Sequence, residues 1–368
     1  ETNSKLENAH TMVVMGVIRR FIEFQDNYEG QPLIDWVREH AEIPIFTVTV
    51  YLWIVFYASP MMKGRPQSPT YKRILSSLFA GWNLLLAVFS IIGASITVPH
   101  LAKTIYEKGF IYSICSDPEN WTINGAPGLW LAMFILSKIP ELLDTVFLVL
   151  QDKKVIFLHW FHHCTVMLYC WHAFHHRIAP GLWFATMNYA VHSVMYTYYF
   201  AMAAKLQWLA VPFAPLITTV QILQMAAGSY ITFKSASIHW SQGQDACKCD
   251  AANYKLGLAM YGSYFILFCS LFLNKYFGPE KSSPTSSKKP TKASGVDSPP
   301  AGPPLHEGAA KSATGSKANG SQNGGSRSGN SNVSSASWFR CVRRELLGWS
   351  CASIESLGLW PGSRRKSD

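Results

Sequence analysis

The sequence has little charge for its length. Asp, Glu, Lys and Arg make up 15% of the 368 residues, whereas soluble domains contain about 25%. Hydrophobic residues account for 49% of the chain and aromatic residues for 14%. Strand-like alternation, internal repeats and Gly-rich phosphate loops are absent too, so nothing competes with a helical interpretation. The composition predicts an all-α protein that crosses a membrane several times.

The chain also lacks cysteine pairs at C-x-x-C spacing: its eight cysteines are scattered, and Cys247-x-Cys249 comes nearest to that pattern. The formal net charge is +10, but the 13 Lys and Arg and 6 Asp and Glu between Glu280 and Asp368 place +7 of it in the tail. This distribution is typical of cytosolic segments near an anionic leaflet. No nucleic-acid-binding motif accompanies it, so no nucleic-acid partner is predicted.

Seven apolar stretches divide the chain into three parts. We predict a lumenal N-terminal segment 1–42, a domain of seven transmembrane helices enclosing a tunnel at 43–277, and a cytosolic, largely disordered tail at 278–368 that is rich in Ser, Gly, Pro and Lys. The predicted spans are about 43–60, 74–98, 127–150, 155–175, 180–203, 208–233 and 255–277.

The basic loops set the orientation. If the spans alternate, the Lys and Arg of loop 61–73, Lys153 and Lys154, Lys205 and the tail all lie on one side, which the positive-inside rule makes cytosolic. The glycosylation sequon Asn120-Trp121-Thr122 then lies on the lumenal side. Both signals give the same topology.

The lumenal cysteines are Cys115, Cys247 and Cys249 in this topology. Disulfides persist in the lumen, so we predict that Cys115 pairs with Cys247 or with Cys249 and joins two loops. Three free thiols are the alternative.

The most unusual segment is His159-Trp160-Phe161-His162-His163, which lies within an apolar run. Positions three and four residues apart share a helix face, so the three imidazoles cluster within little more than a turn. Ionisable groups inside a membrane are costly and usually mark function. Three in five residues are hard to explain by packing.

Three neighbouring spans carry polar stripes of their own. For any single buried amide, an interhelical hydrogen bond would be a sufficient explanation, and the charged residues of span three could form a structural ion-pair ladder. Four polar stripes together favour a lined cavity that opens to the cytosol, with an apolar tunnel behind it. Pro140 is expected to kink span three. The stripes are Lys138, Glu141 and Asp144 in span three, Asn188, His192, Tyr196 and Tyr199 in span five, and Thr218, Gln221 and Gln224 in span six.

These four stretches, in this order and at this spacing, resemble the signature motifs of the ELO fatty-acid elongases over roughly residues 40–280. The resemblance implies a seven-helix enzyme of the endoplasmic reticulum. It would condense a long-chain acyl-CoA with malonyl-CoA to give 3-oxoacyl-CoA, carbon dioxide and CoA, without a redox cofactor or a metal. The implied partners are membrane lipid and the separate reductases and dehydratase of the elongation cycle, and the sequence leaves open whether the chain forms a homo-oligomer. The tryptophan at position 160 is similar to the residue found there in the elongase branch that acts on saturated and monounsaturated chains.

The condensation suggests a role for each residue. His162, flanked by His159 and His163, would accept the acyl group, and Asp144 would orient a neighbouring imidazole. His192 would stabilise the malonyl-derived enolate. Asn188, Tyr196 and Gln221 would donate hydrogen bonds to carbonyl oxygens, and Lys138 would attract CoA phosphates or stabilise the carboxylates. Glu141 and Gln224 are also predicted to bind substrate.

Parts of the same pattern fit two other functions and a rival nucleophile. A di-iron desaturase or hydroxylase also uses HxxHH boxes, and His172-x-x-His175-His176 is a second match. The two boxes lie 13 residues apart on one helix, about 20 Å at 1.5 Å per residue, so they cannot share a dinuclear centre. A lipid transporter would explain a tunnel but not the titratable groups. Cys164 points away from the stripe and is assigned to packing.

Overall fold

The computed structural model describes residues 2–277, and within them every regular element is helical. The predicted tail therefore lies outside the described residues. Four tighter or wider turns interrupt the α-helices: a π-helical turn at Ile54–Ala58 and 3-10 turns at Pro118–Asn120, Pro140–Leu142 and Val211–Phe213. The α-helices are α1 (Thr2–Asp26), α2 (Gln31–Glu39), α3 (Glu42–Trp53), α4 (Ser59–Met62), α5 (Pro69–Lys108), α6 (Phe110–Cys115), α7 (Gly125–Ser137), α8 (Leu143–Leu150), α9 (Phe157–His175), α10 (Gly181–Ala203), α11 (Gln207–Ala210), α12 (Ala214–Gln242) and α13 (Ala251–Tyr276).

All seven predicted spans are helical. Four helical segments within residues 2–277 are long and apolar enough to cross a membrane: Glu42–Met62, Pro69–Lys108, Gln207–Gln242 and Ala251–Tyr276. The other three predicted spans correspond to α7 with α8, α9 and α10, which carry most of the polar stripes. Helices enclosed by other helices need not be apolar all round, because lipid does not reach every face. The chain is thus an all-helical, multi-pass membrane protein.

Two helices extend well beyond the predicted spans. The 40 residues of α5 measure about 60 Å at 1.5 Å per residue, twice the ~30 Å hydrocarbon core of a bilayer. The predicted loop 99–126 was therefore wrong in its first ten residues, because α5 continues through Pro99 and ends only at Lys108. Gly109 follows it, with a φ of 88° that favours glycine. Hydropathy identifies the part of a helix that lipid surrounds, whereas backbone hydrogen bonds carry the helix into the polar region. For the same reason α12 runs nine residues past its predicted end.

Pro140 interrupts the third span, as predicted. The helix changes at this point from α7 to a 3-10 turn and then to α8. Proline has no N–H to donate to the preceding turn, which is a recognised cause of such breaks. The break lies between Lys138 and Asp144 and so determines how the polar side chains of this span are presented.

The helix α9 lies at the centre of the helical bundle, in contact with α2, α3, α7 and α13. Around it α10 packs along α5, and α12 along α13. Glycines permit both contacts: a Cβ at Gly93 would lie 2.6 Å from Tyr189, and one at Gly228 would lie 2.4 Å from Tyr261. Small residues at such positions let membrane helices approach closely.

Loops predicted to share a side of the membrane are in contact. At one end, the Lys248 amide donates to the Cys115 carbonyl at 2.9 Å, and the Lys248 carbonyl accepts from Ala179 at 3.0 Å. At the other end, the Gly64 amide donates to Asp152 at 3.1 Å. The first group of loops is the one assigned to the lumen and the second is the one assigned to the cytosol.

A disulfide bond joins Cys115 to Cys247, one of the two pairings that the sequence left open. Cys249 is free and buried, and its sulfur lies 3.7 Å from that of Cys247. Part of the predicted N-terminal segment also belongs to the core, since Ile34 and Val37 of α2 are buried against α9 and its neighbours.

Candidate active site

An apolar cavity begins at His162 and follows α9 towards the end of the bundle that holds the disulfide. Its last lining residue on α9 is Phe174, twelve positions later, which corresponds to about 18 Å along a helix. Acyl chains of one leaflet, half of a ~30 Å hydrocarbon core, extend about 15 Å. The cavity is therefore long enough for a long acyl chain, and the polar members of its wall at the His162 end are Asn188 and Gln224.

The three imidazoles of the histidine box have different surroundings. His159 exchanges a hydrogen bond of 2.7 Å with the Thr145 hydroxyl, which in turn bonds Tyr51 at 2.9 Å. His163 is buried, with its ring 4.5 Å from that of His159 and 5.4 Å from that of His162. His162 faces the cavity, and no residue in 2–277 forms a hydrogen bond with its ring nitrogens. Its ring is the one available to a substrate.

A second group of polar residues forms a chain of contacts beside the histidines. The Lys138 ammonium donates to Glu141 at 2.7 Å and to the Asn188 side-chain oxygen at 3.3 Å. The Asn188 amide nitrogen lies 3.1 Å from Nε2 of His192. Of the two roles predicted for Lys138, attraction of phosphates or stabilisation of a carboxylate, these contacts correspond to the second, because the side chain is buried against Glu141.

Asp144 does not have the partner that the sequence suggested. Trp82 donates to one of its oxygens at 2.7 Å and Tyr196 to the other at 2.9 Å. Within residues 2–277, Asp144 forms no hydrogen bond to an imidazole, so the prediction that it orients one in this way is wrong. Thr145 bonds His159 instead. Beyond the 3-10 turn that begins at Pro140, Asp144 faces α5 and α10. Tyr196, predicted to donate to a substrate carbonyl, donates to Asp144.

The two glutamines of span six have different surroundings, and only one of them lines the cavity. Gln224 is buried and lines the cavity. Gln221 donates to the Met195 sulfur at 3.3 Å and so bridges α12 to α10. Cys164 packs beside Met167 and Leu142, as predicted.

Several residues at the site were missed by the sequence analysis. Tyr264 of α13 donates to the His162 carbonyl at 3.2 Å, and its ring lies 5.0 Å from the imidazole. Trp82 and Tyr51 are single polar groups in apolar spans, so no periodic stripe distinguishes them. Thr145 stands beside Asp144 in the sequence and could have been found by asking which neighbour reaches His159.

The fold and this site together define a membrane-embedded helical enzyme. The imidazole of His162, which has no hydrogen-bonding partner in the described part of the chain, heads its apolar cavity. The family model described as ELO, the GNS1/SUR4 family, matches residues 36–284. The chain is 42% identical to "Fatty acid elongase 3" of Trypanosoma cruzi (strain CL Brener) over 69% of its own length and 90% of that protein. It is 37% identical to "Very long chain fatty acid elongase 6" of Gallus gallus over 75% of its own length and 96% of that protein. The chain belongs to the ELO family, which confirms the resemblance in the four motifs.

Proposed function

We propose that this chain condenses a long-chain acyl-CoA with malonyl-CoA, the first step of each two-carbon elongation. The observation that carries the proposal is the imidazole of His162, which has no hydrogen-bonding partner within residues 2–277 and lies at the head of an apolar cavity. Membership of a family whose relatives are named fatty acid elongases supports the same reaction. Neither the desaturase nor the transporter has comparable support.

The reaction has two steps. In the first, a ring nitrogen of His162 attacks the thioester carbonyl, the carbon–sulfur bond breaks, and CoA leaves with the imidazole proton. In the second, malonyl-CoA loses carbon dioxide to give an enolate. The enolate carbon attacks the acyl carbon and the carbon–nitrogen bond breaks, which releases 3-oxoacyl-CoA. The departing imidazolate takes up one proton from solvent, so that neutral His162 is regenerated. The acyl chain remains in the cavity throughout.

The surrounding groups would stabilise the enolate and orient the histidine rings. His192, which contacts Asn188, would stabilise the enolate oxygen, and Gln224 would add a neutral donor at the cavity wall. His159 and His163 shape the pocket around His162, with Thr145 fixing the His159 ring. Asp144 acts as a positioning residue through Tyr196, whose ring lies 5.2 Å from that of His192.

We assign the reaction no redox cofactor and no metal, because carbon–carbon bond formation here needs only a nucleophile, a decarboxylation and donors to an enolate. The enzyme acts on acyl-CoA in a lipid environment. We further propose an endoplasmic-reticulum location with a lumenal N-terminus and a cytosolic C-terminus, supported by the basic loops and by the disulfide on the opposite side. Separate reductases and a dehydratase would complete the cycle. We propose saturated and monounsaturated acyl chains as substrates, on the basis of the tryptophan at position 160.

Replacement of His162 tests the nucleophile. Purified protein is incubated with radiolabelled acyl-CoA in the absence of malonyl-CoA, denatured, and examined for covalent label. The unmodified enzyme and His175→Ala, a histidine of the same helix that does not line the cavity, should carry hydroxylamine-labile label. His162→Ala should carry none and should form no 3-oxoacyl-CoA. Label that persists in His162→Ala would refute the acyl-imidazole.

A further inference from the structure

A second cluster of metal-binding side chains lies at the far end of α9, away from the proposed active site. His172, His176 and Asp250 each present one donor atom, and these atoms lie within 4.8 Å of one another. The His172 and His176 rings have centroids 4.3 Å apart, and His176 Nδ1 lies 3.9 Å from Asp250 Oδ2. This is the only such group of His, Cys, Asp and Glu found within residues 2–277.

Local structure holds two of the three side chains in place. Asp250 is the N-cap of α13: its Oδ1 accepts from the Asn253 amide at 2.7 Å, which leaves Oδ2 facing His176. The Asn253 side-chain nitrogen lies 3.0 Å from Nδ1 of His172, and its oxygen accepts from the Tyr169 hydroxyl at 3.1 Å. A half-turn of the Asn253 amide, which exchanges its oxygen and nitrogen, would let His172 donate from Nδ1 and present Nε2 to an ion. Outer hydrogen bonds of this kind orient the ligands of metal sites.

We propose that His172, His176 and Asp250 form a binding site for a divalent transition-metal ion of the zinc class. The two histidines lie four residues apart at the end of α9, and Asp250 lies opposite them at the start of α13. Zinc binds two imidazoles and one carboxylate in this way, with water as its fourth ligand. Calcium and magnesium prefer oxygen ligands alone. The helix C-terminus adds a favourable partial negative charge.

The present spacing needs only a small adjustment. Ligand atoms around a tetrahedral zinc with bonds of about 2.0–2.2 Å lie roughly 3.4 Å apart, so the widest pair, at up to 4.8 Å, must close by about 1.4 Å. The ring of His176 is exposed and can turn inwards. Exposure also provides the ion with a path of entry.

The ion would act on structure and not on the condensation. Ten residues of helix separate His172 from His162, about 15 Å. A bound ion would join the end of α9 to the start of α13, the two helices that bring His162 and Tyr264 together. It would sit beside the loop that the Cys115–Cys247 disulfide holds. The site is independent of the proposed function, and it revises the expectation of no metal drawn from the sequence.

Metal content and melting temperature test the site. Full-length, tag-free protein in detergent is stripped with a chelator, equilibrated with zinc or calcium, and analysed after removal of free ion. The unmodified chain should retain about one zinc, melt at a higher temperature with zinc, and respond to calcium in neither measurement.

Variants locate the ion. His176→Ala and Asp250→Asn should each lose the retained zinc and the shift in melting temperature, and asparagine keeps the helix cap so that the fold is preserved. His175→Ala, the adjacent histidine outside the group, should retain both. Absence of zinc from the unmodified chain, or zinc retained by His176→Ala and Asp250→Asn, would overturn the proposal.

Discussion

Lys138 and Glu141 form an ion pair whose side chains are 3% and 5% exposed. Ser137 donates a further hydrogen bond to the same Glu141 oxygen at 2.8 Å. Removal of one partner from a buried pair leaves an uncompensated charge and costs about 3–5 kcal/mol, whereas replacement of both partners can be nearly neutral. The pair therefore allows a structural role to be separated from a chemical one.

Lys138→Met should lower the free energy of unfolding by about 3–5 kcal/mol, because Glu141 is left charged and unpaired. The double variant Lys138→Met/Glu141→Gln should regain most of that loss. Denaturant unfolding in detergent measures both. A double variant no more stable than Lys138→Met would contradict this account. Condensation that stays lost in a double variant of restored stability would show that the charged pair also serves the reaction.

Cys249 lies outside the membrane-spanning helices, and burial raises the pKa of its thiol to about 11. A raised pKa favours the neutral thiol, and only the thiolate reacts with alkylating agents or with a neighbouring disulfide. Alkylation of Cys249 by iodoacetamide should thus be slow at pH 8 and rise steadily as the pH approaches 11. The unfolded chain, in which the thiol has an ordinary pKa of about 8.5, is the control. Equal rates in folded and unfolded protein at pH 8 would exclude the effect.

At the scale of helices, contact between α5 and α10 depends on the absence of a side chain at Gly93. Tyr189, which a Cβ there would meet at 2.6 Å, is 1% exposed and donates to the Trp130 carbonyl at 2.9 Å, so it has little room to move. Gly81 lies on the same helix, and a Cβ there would meet nothing within 4 Å. The two glycines form a matched pair.

Gly93→Ala should destabilise the protein by about 1–3 kcal/mol through overpacking. Gly81→Ala should leave stability unchanged or raise it by up to about 1 kcal/mol, since alanine favours the helix. Melting temperatures in detergent compare them. Equal behaviour of the two variants would mean that α5 and α10 are not held as closely as described.

At the scale of the whole molecule, the cavity is enclosed by segments far apart in the sequence. Spans six and seven contribute Met225, Met260 and Tyr261 to its wall. The far end is also formed by Ile34 of α2 and by Phe174 of α9. The length of the cavity is therefore limited both by the helical bundle and by α2, which precedes the first predicted span.

Phe174→Ala should shift the products towards longer chains because it removes bulk about 18 Å along α9 from His162. Ala173→Leu, at a neighbouring lining position, should shift them towards shorter chains. Phe265→Ala, at a side chain that is 38% exposed, is the control and should leave the distribution unchanged. Product analysis with labelled malonyl-CoA measures all three. Unchanged lengths in both cavity variants would mean that the acyl chain lies elsewhere.

The sequence by itself determined the helical class, the multi-pass membrane character and the family, and it predicted seven spans and the sides on which their loops lie. Each follows from patterns within one helix: apolar length, charge at helix ends, and polar residues at steps of three and four. The same patterns identified the histidine box and the stripes that accompany it. They could not identify Trp82 or Tyr264, because a single polar group in an apolar helix leaves no periodic signal.

Only the tertiary structure decided which side chains meet. It paired Asp144 with Trp82 and Tyr196, gave His159 to Thr145, left His162 facing the cavity, and brought Asp250 to the end of α9. These contacts join residues up to 78 positions apart, as Asp250 and His172 are, and they depend on helix rotation and on the break at Pro140. Rotation is set by packing between helices, such as that of Gly93 on Tyr189, and no single helix contains that information.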